Sequence, residues 1–159
     1  MKGHVFTMNI DVNTASTPNS LMIDTGANIA VFNDQSFFCQ LQKPNTHSCV
    51  RFGPSASFAI EGQGTVQFNI SDLENNPVMI HLTNVMYVPS QPHNIICLRN
   101  LRSIESGVNF DQSPYYIRWH VNGKDCYQSV HFTNDIPRAR VSLPLQRNSV
   151  RKLPPQWTW

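Results

Sequence analysis

Residues 21–32, LMIDTGANIAVF, constrain this chain more than any other stretch. An apolar run carries a single acid, Asp24, into a Thr25-Gly26 turn, and a second apolar run over residues 29–32 follows at once. Burying a charge without a partner costs on the order of several kcal/mol. A carboxylate held between two apolar strands therefore demands a reason. One reason is chemical. Gly26 permits backbone conformations closed to other residues and lets a ligand approach closely. The Thr25 hydroxyl both donates and accepts, so it can bond across an interface. Asp24 can activate water if a second carboxylate shares its proton. The other reason is structural, because Asp-x-Gly is ordinary Asx-turn chemistry. The tetrapeptide leaves both open, while the flanking apolar residues favour a buried position.

At 159 residues and 18.1 kDa the chain is the size of one domain with room for an appendage. Only 14% of the residues are charged, and β-branched, aromatic and proline residues recur in short runs. This predicts an all-β chain with disorder confined to the ends. The charge is uneven: residues 1–135 hold seven Lys/Arg against all ten acids, whereas Arg138, Arg140, Arg147, Arg151 and Lys152 follow with no acid. The division expected is a domain over 1–135 and a basic, proline-containing tail over 136–159. Such a tail can contact nucleic acid, or it is simply a solvated linker, and the second reading is preferred.

Cys39, Cys49, Cys97 and Cys126 form no CxxC pair, and the Cys39, His47, Cys49 trio has no tetrahedral zinc spacing, so neither metal nor cofactor is expected. No apolar run reaches the roughly 18 residues of a membrane span, and the opening residues MKGHVFTMNIDV lack the apolar core of a signal peptide. Reduced thiols in a cytoplasmic setting, virus-like particles included, are the expectation.

Along the chain, residues 4–12 alternate as a half-buried strand, and residues 13–20 have turn composition. Residues 21–23 and 30–32 read as short strands, and residues 34–40 as a helical turn with Asp34 as its cap. Residues 47–70 read as two apolar segments around a Gly53-Pro54-Ser55-Ala56 hinge, the tip of a mobile hairpin. Gly62 and Gly64 mark a bend or a close backbone approach. The EGQGT run lacks the helix and Lys-Ser/Thr pair of a phosphate loop. Residues 78–88 form two strands or one bent strand. Leu98, Leu101 and Ile104 recur at helical spacing, with Gly107 at the C-cap position. Asn122-Gly123 between two apolar segments, reaching to Phe132, predicts a hairpin.

Two separated stretches carry a family resemblance. LMIDTGANIAVF resembles the active-site strand of retroviral and retrotransposon aspartic proteases, and residues 92–110, PHNIICLRNLRSIESGVNF, resemble their last strand and helix. The order EGQGTV, LTNVMYVP, NIICLRNL is similar to the copia-type branch, over about residues 4–132. The resemblance implies a closed β-barrel of the retropepsin type with one short C-terminal helix, followed here by an extra hairpin. It implies that Asp24, Thr25 and Gly26 are catalytic, that Ala27 and Asn28 contact substrate, and that Gly53, Pro54, Ser55 and Ala56 form the flap. Ile95-Ile96 matches the apolar pair beneath the active-site loop, but Cys97 stands where retroviral chains have glycine. With a single Asp-Thr-Gly copy, the implied enzyme is a homodimeric aspartic endopeptidase cleaving extended polypeptide, the element's own polyprotein. A domesticated or decayed copy acting as a non-catalytic dimerising module, and an unrelated β-barrel binding module, are the competing readings.

Overall fold

The computed structural model describes residues 5–8, 19–44, 48–54 and 56–144. Among them are fourteen strands and a single short α-helix, as the composition predicts. In chain order these are β1 (Val5–Met8), β2 (Ser20–Asp24), β3 (Ala30–Phe32), β4 (Phe38–Gln42), β5 (Cys49–Phe52), β6 (Ala56–Ala59), β7 (Gly62–Ser71), β8 (Pro77–Tyr87) and β9 (Asn94–Cys97). The helix α1 (Leu98–Ser103) follows, then β10 (Gly107–Asn109), β11 (Tyr116–Val121), β12 (Lys124–Ser129), β13 (His131–Thr133) and β14 (Ile136–Arg140).

The main sheet has eight strands in the order β13-β14-β2-β9-β3-β8-β7-β4. Two three-stranded sheets, β1-β5-β6 and β10-β11-β12, accompany it. Strand β2 lies parallel to β9 on one side, with Asp24 abreast of Cys97, and antiparallel to β14 on the other. No sheet closes into a barrel by continuous pairing among the described residues. The main sheet does bend round on itself, because Ser142, just past β14, forms an antiparallel bridge with Asn69 in β7.

All five residues of β2 are buried, so its alternation sorts side chains between two cores rather than between core and water. Leu21 and Ile23 join the larger core with Phe32, Phe68, Leu82, Ile96 and Trp119. Met22 faces the other way, into a smaller core with Val31, Ile95, Val50 and Phe52. This second core lies between the main sheet and the β5–β6 hairpin.

Local chemistry explains most of the turns. Asp34 accepts a hydrogen bond from the Ser36 N–H at 2.9 Å and caps a 3-10 turn over Gln35–Phe37. The expected helical segment ends there, and β4 replaces its second half. Asn122 and Gly123 both have positive φ, at 51° and 76°, which is the tight hairpin geometry their sequence predicts. A Cβ on Gly64 would fall 1.9 Å from the Gln40 carbonyl oxygen, so the strands meet backbone to backbone there. The β7–β8 register also shifts between Gly64 and Val66, and Asn84, with φ of 56°, absorbs the extra residue of a single bent β8.

Two expectations need correction. Gly107 does not cap α1: Glu105 takes the left-handed conformation with φ of 58°, and Gly107 opens β10. The second arm of the Asn122-Gly123 hairpin stops at Ser129 rather than at Phe132, because His131–Thr133 turns away to pair with β14. The boundary expected at residue 135 falls inside that β13–β14 hairpin. The expected strand over residues 4–12 is seen as β1, and its remainder lies outside the described residues, as do residues 145–159 of the tail.

Candidate active site

The parallel pairing of β2 with β9 carries the chain to Asp24 at the C-terminal end of a fully buried strand. Asp24 itself is only 6% exposed. Immediately after it the chain surfaces: Thr25, Gly26 and Asn28 are exposed and Ala27 is half-buried, before Ile29 returns to the core. A turn holds this excursion. The Gly26 N–H donates to Asp24 Oδ1 at 2.9 Å and the Ala27 N–H donates to the Asp24 carbonyl at 3.3 Å. The structural reading of the Asp-Thr-Gly motif is thus realised. The side chain makes an Asx-type turn bond, and it does so from a buried position at a strand end.

Asp24 follows Met22 by two residues, so the pleat directs both side chains to the same face of the main sheet. That is the face against which β5 and β6 pack, through Val50, Phe52, Phe58 and Ala56. Ala27 and Ala56 touch the same apolar cluster, which brings the acid loop and the hairpin together on one side of the molecule. The hairpin has the residue pairing Phe52↔Ala56 at its tip, and Gly53, with φ of 61°, makes the turn. No atom lies within 4 Å of a Cβ built on Gly53, so it is the backbone angle that calls for glycine there. Gly53 is half-buried and Pro54 exposed, while Ser55 lies outside the described residues. Edge-to-face packing of Phe52 on Phe58, with ring centroids 5.3 Å apart, stiffens the hairpin just behind its tip.

Beneath the loop, Ile95 and Ile96 are fully buried, one in each core. Cys97, 1% exposed, is the register partner of Asp24. Its thiol donates to Asn100 Oδ1 at 2.7 Å, and its backbone N–H reaches the same oxygen at 3.3 Å. Asn100 thereby ties the start of α1 to the strand beside Asp24. Sequence reading marked Cys97 only as a departure; its register with Asp24 needed the sheet. At the opposite end of β9, Asn94 Oδ1 accepts from the Asn33 N–H at 3.1 Å and fixes β3 to β9 away from the acid.

Sequence reading also assigned Arg138 to a solvated tail. It is 3% exposed and sits across from Met22 on β14, on the Asp24 face. The neighbouring Arg140 is exposed. Among the described residues no three His, Cys, Asp or Glu side chains come together in a way that could hold a metal ion.

Residues 21–106, more than half of the chain, match the family model described as Pol polyprotein, beta-barrel domain. The match begins on the strand that delivers Asp24 and ends just before β10. No curated protein and no solved structure matches the chain. The matched span points to a retroelement Pol region and holds β2, the β5–β6 hairpin and α1. The chain belongs to the Pol polyprotein beta-barrel domain family.

Proposed function

We propose that the chain is one half of an aspartic endopeptidase of the retroviral and retrotransposon kind, closest in motif order to the copia-type branch, and works as a homodimer. The observation that carries this reading is Asp24, buried at the end of β2 and followed at once by an exposed Thr25-Gly26 turn on the hairpin-covered face. One carboxylate per chain is half of a dyad. Two chains meeting on a twofold axis supply the other half. Carboxylates a few Å apart cannot both ionise easily, so they share a proton. The pair takes a proton from the water that attacks the peptide carbon while giving its shared proton to the carbonyl oxygen. It then gives a proton to the leaving nitrogen as the C–N bond breaks and takes one back from the diol. Substrate runs extended beneath the β5–β6 hairpin, with Ala27, Asn28 and residues 53–56 along its path, and pairs as an added strand. The substrate class is the element's own polyprotein, and the setting is the cytoplasm or a virus-like particle.

The fold restricts how the two copies approach. Edge-to-edge pairing of β13 strands would put five strand spacings between the two β2 strands. At about 4.8 Å each that is roughly 24 Å, far too long for a shared proton. An axis through the exposed loop over residues 25–28, end-on to β2, is the arrangement we propose instead. The Ser142–Asn69 bridge supports the retropepsin-type barrel reading, since it joins the two sides of the main sheet that a barrel would close.

Asp24→Asn is expected to remove peptidase activity while leaving the thermal unfolding midpoint within a few degrees of wild type. Wild-type activity per mole should also fall on dilution as dimers separate. Cleavage retained by purified Asp24→Asn, or full activity in a strict monomer at every dilution, would overturn the reading.

A further inference from the structure

The chain after residue 135 does more than trail away from the domain. Strand β14 is hydrogen-bonded to β2 in the register Arg138↔Met22, Ala139↔Leu21 and Arg140↔Ser20. The Val141 N–H then donates to the Asn19 carbonyl at 2.8 Å. Ser142 exchanges two backbone bonds with Asn69 of β7, at 2.8 and 2.9 Å. Ala139 is 0% and Val141 4% exposed, and both belong to the larger core. Ile136 packs against the smaller one, on the Asp24 face. Gln128 Nε2 donates to the Arg140 carbonyl, and Gln128 Oε1 accepts from Trp119 Nε1 at 2.8 Å, which ties the β10–β12 sheet to the same strand.

We propose that residues 136–142 form a positioning strand for Asp24, so that the working unit extends past the family-matched span to Ser142. The β14–β2 pairing ends at Arg138↔Met22, and Pro137 has no N–H to carry the ladder further. Ile136, two residues beyond, packs on the smaller core on the face that Met22 and Asp24 share. The same register carried on by two residues would set it beside the acid, across β2 from Cys97. Without β14, β2 becomes an edge strand with unpaired backbone groups, and the carboxylate loses one of the two walls that fix its direction. Displacement of a reacting group by about 1 Å can cost roughly a hundredfold in rate. Ile136 is a positioning residue. It acts through the orientation of Asp24 and not by touching substrate. The catalytic part of this proposal rests on the endopeptidase reading; the structural part, that β14 holds the end of β2, does not.

The test uses the full chain with Ile136→Ala, Ile136→Val and, as a control, Val78→Ala at a half-buried position packed on the larger core away from Asp24. Two quantities are measured: amide hydrogen exchange over residues 20–24, and peptidase kcat and KM. Ile136→Ala should speed exchange over 20–24 by about tenfold and lower kcat about ten- to a hundredfold with KM held within about twofold. Ile136→Val should recover most of both. Val78→Ala should lower the unfolding midpoint while leaving exchange over 20–24 and kcat near wild type. Wild-type exchange and kcat in Ile136→Ala overturn the proposal, as does an equal kcat loss in Val78→Ala. If exchange responds as expected but the wild type itself cleaves nothing, β14 does hold β2 and it is the endopeptidase reading that fails.

Discussion

Residues 21–106 hold the acid, the hairpin over it and the only α-helix among the described residues, whereas residues 107–144 hold none of these. Yet the later region supplies Trp119, the largest fully buried side chain, and the strand that pairs with the one bearing Asp24. The acid and one of the two strands that pair with its own are separated along the chain. The Asp-Thr-Gly motif is complete in sequence, while β14 lies more than a hundred residues away. The Trp119–Gln128–Arg140 chain of hydrogen bonds makes the support continuous, from the larger core through β12 into β14.

The sharpest way to break this comparison is Trp119→Ala. The indole is 0% exposed and packs edge-to-face on Phe68 in the matched region, with ring centroids 5.8 Å apart. Removing it should cost about 3–5 kcal/mol, read as a shift in the urea unfolding midpoint. The two regions should unfold together. If only β10–β12 were released while the matched region kept its own transition, the later region would be an independent module. Gly64→Ala tests the matched region in turn. The new Cβ would meet the Gln40 carbonyl backbone, next to the place where the β4–β7 register is already irregular between Phe38 and Gln40. A loss of about 2–3 kcal/mol is expected, again as one cooperative transition. Wild-type stability would mean that β4 can move away from β7 freely.

Gln128→Leu should cost about 2 kcal/mol, because it strands both the buried Trp119 N–H and the Arg140 carbonyl. If β14 relays support to Asp24, amide exchange in β2 should quicken as well. A stability loss without that change would confine the network to the later region. The smallest effect belongs to Asp125, on the exposed face of β12. His120 hydrogen-bonded at 2.8 Å, with Arg118 at 3.2 Å, holds its carboxyl below the ordinary carboxylate range. A depressed folded-state value favours folding above the ordinary carboxylate range and loses that contribution as the pH falls through the lower folded value. The wild type should therefore lose slightly more stability than Asp125→Asn when acidified below about pH 4. Identical acid curves would make the cluster a surface pairing without consequence.

Much of the fold was legible in the residues themselves. Residues 21–24 and 30–32, the Asp34 cap and, beyond the matched region, the tight Asn122-Gly123 turn follow from local side-chain chemistry acting on the nearest backbone. The glycine at 64 marks the close approach of another strand. The helix was legible in period, since Leu98, Leu101 and Ile104 recur on one face, but not in its ending. Glu105 adopts a conformation that Gly107 would have taken more cheaply, because β10 needs Gly107 already extended and facing Arg118. The fate of residues 136–144 was the least legible. Arg138 and Arg140 in a proline-containing stretch look solvated by composition, and only pairing with β2 and β7 makes a strand of them.

The amino-acid sequence alone determined the acid, the turn that carries it, the punctuation between strands and the all-β character. Each of these depends on residues within a few positions of one another. Tertiary structure alone decided which strand lies beside which: β9 on one side of Asp24, β14 on the other, and Ser142 across from Asn69. Backbone hydrogen bonds are the same for every residue, so a strand carries no label naming its partner. The choice is made only when both faces of β2 must be buried at once, and only the folded chain can satisfy both.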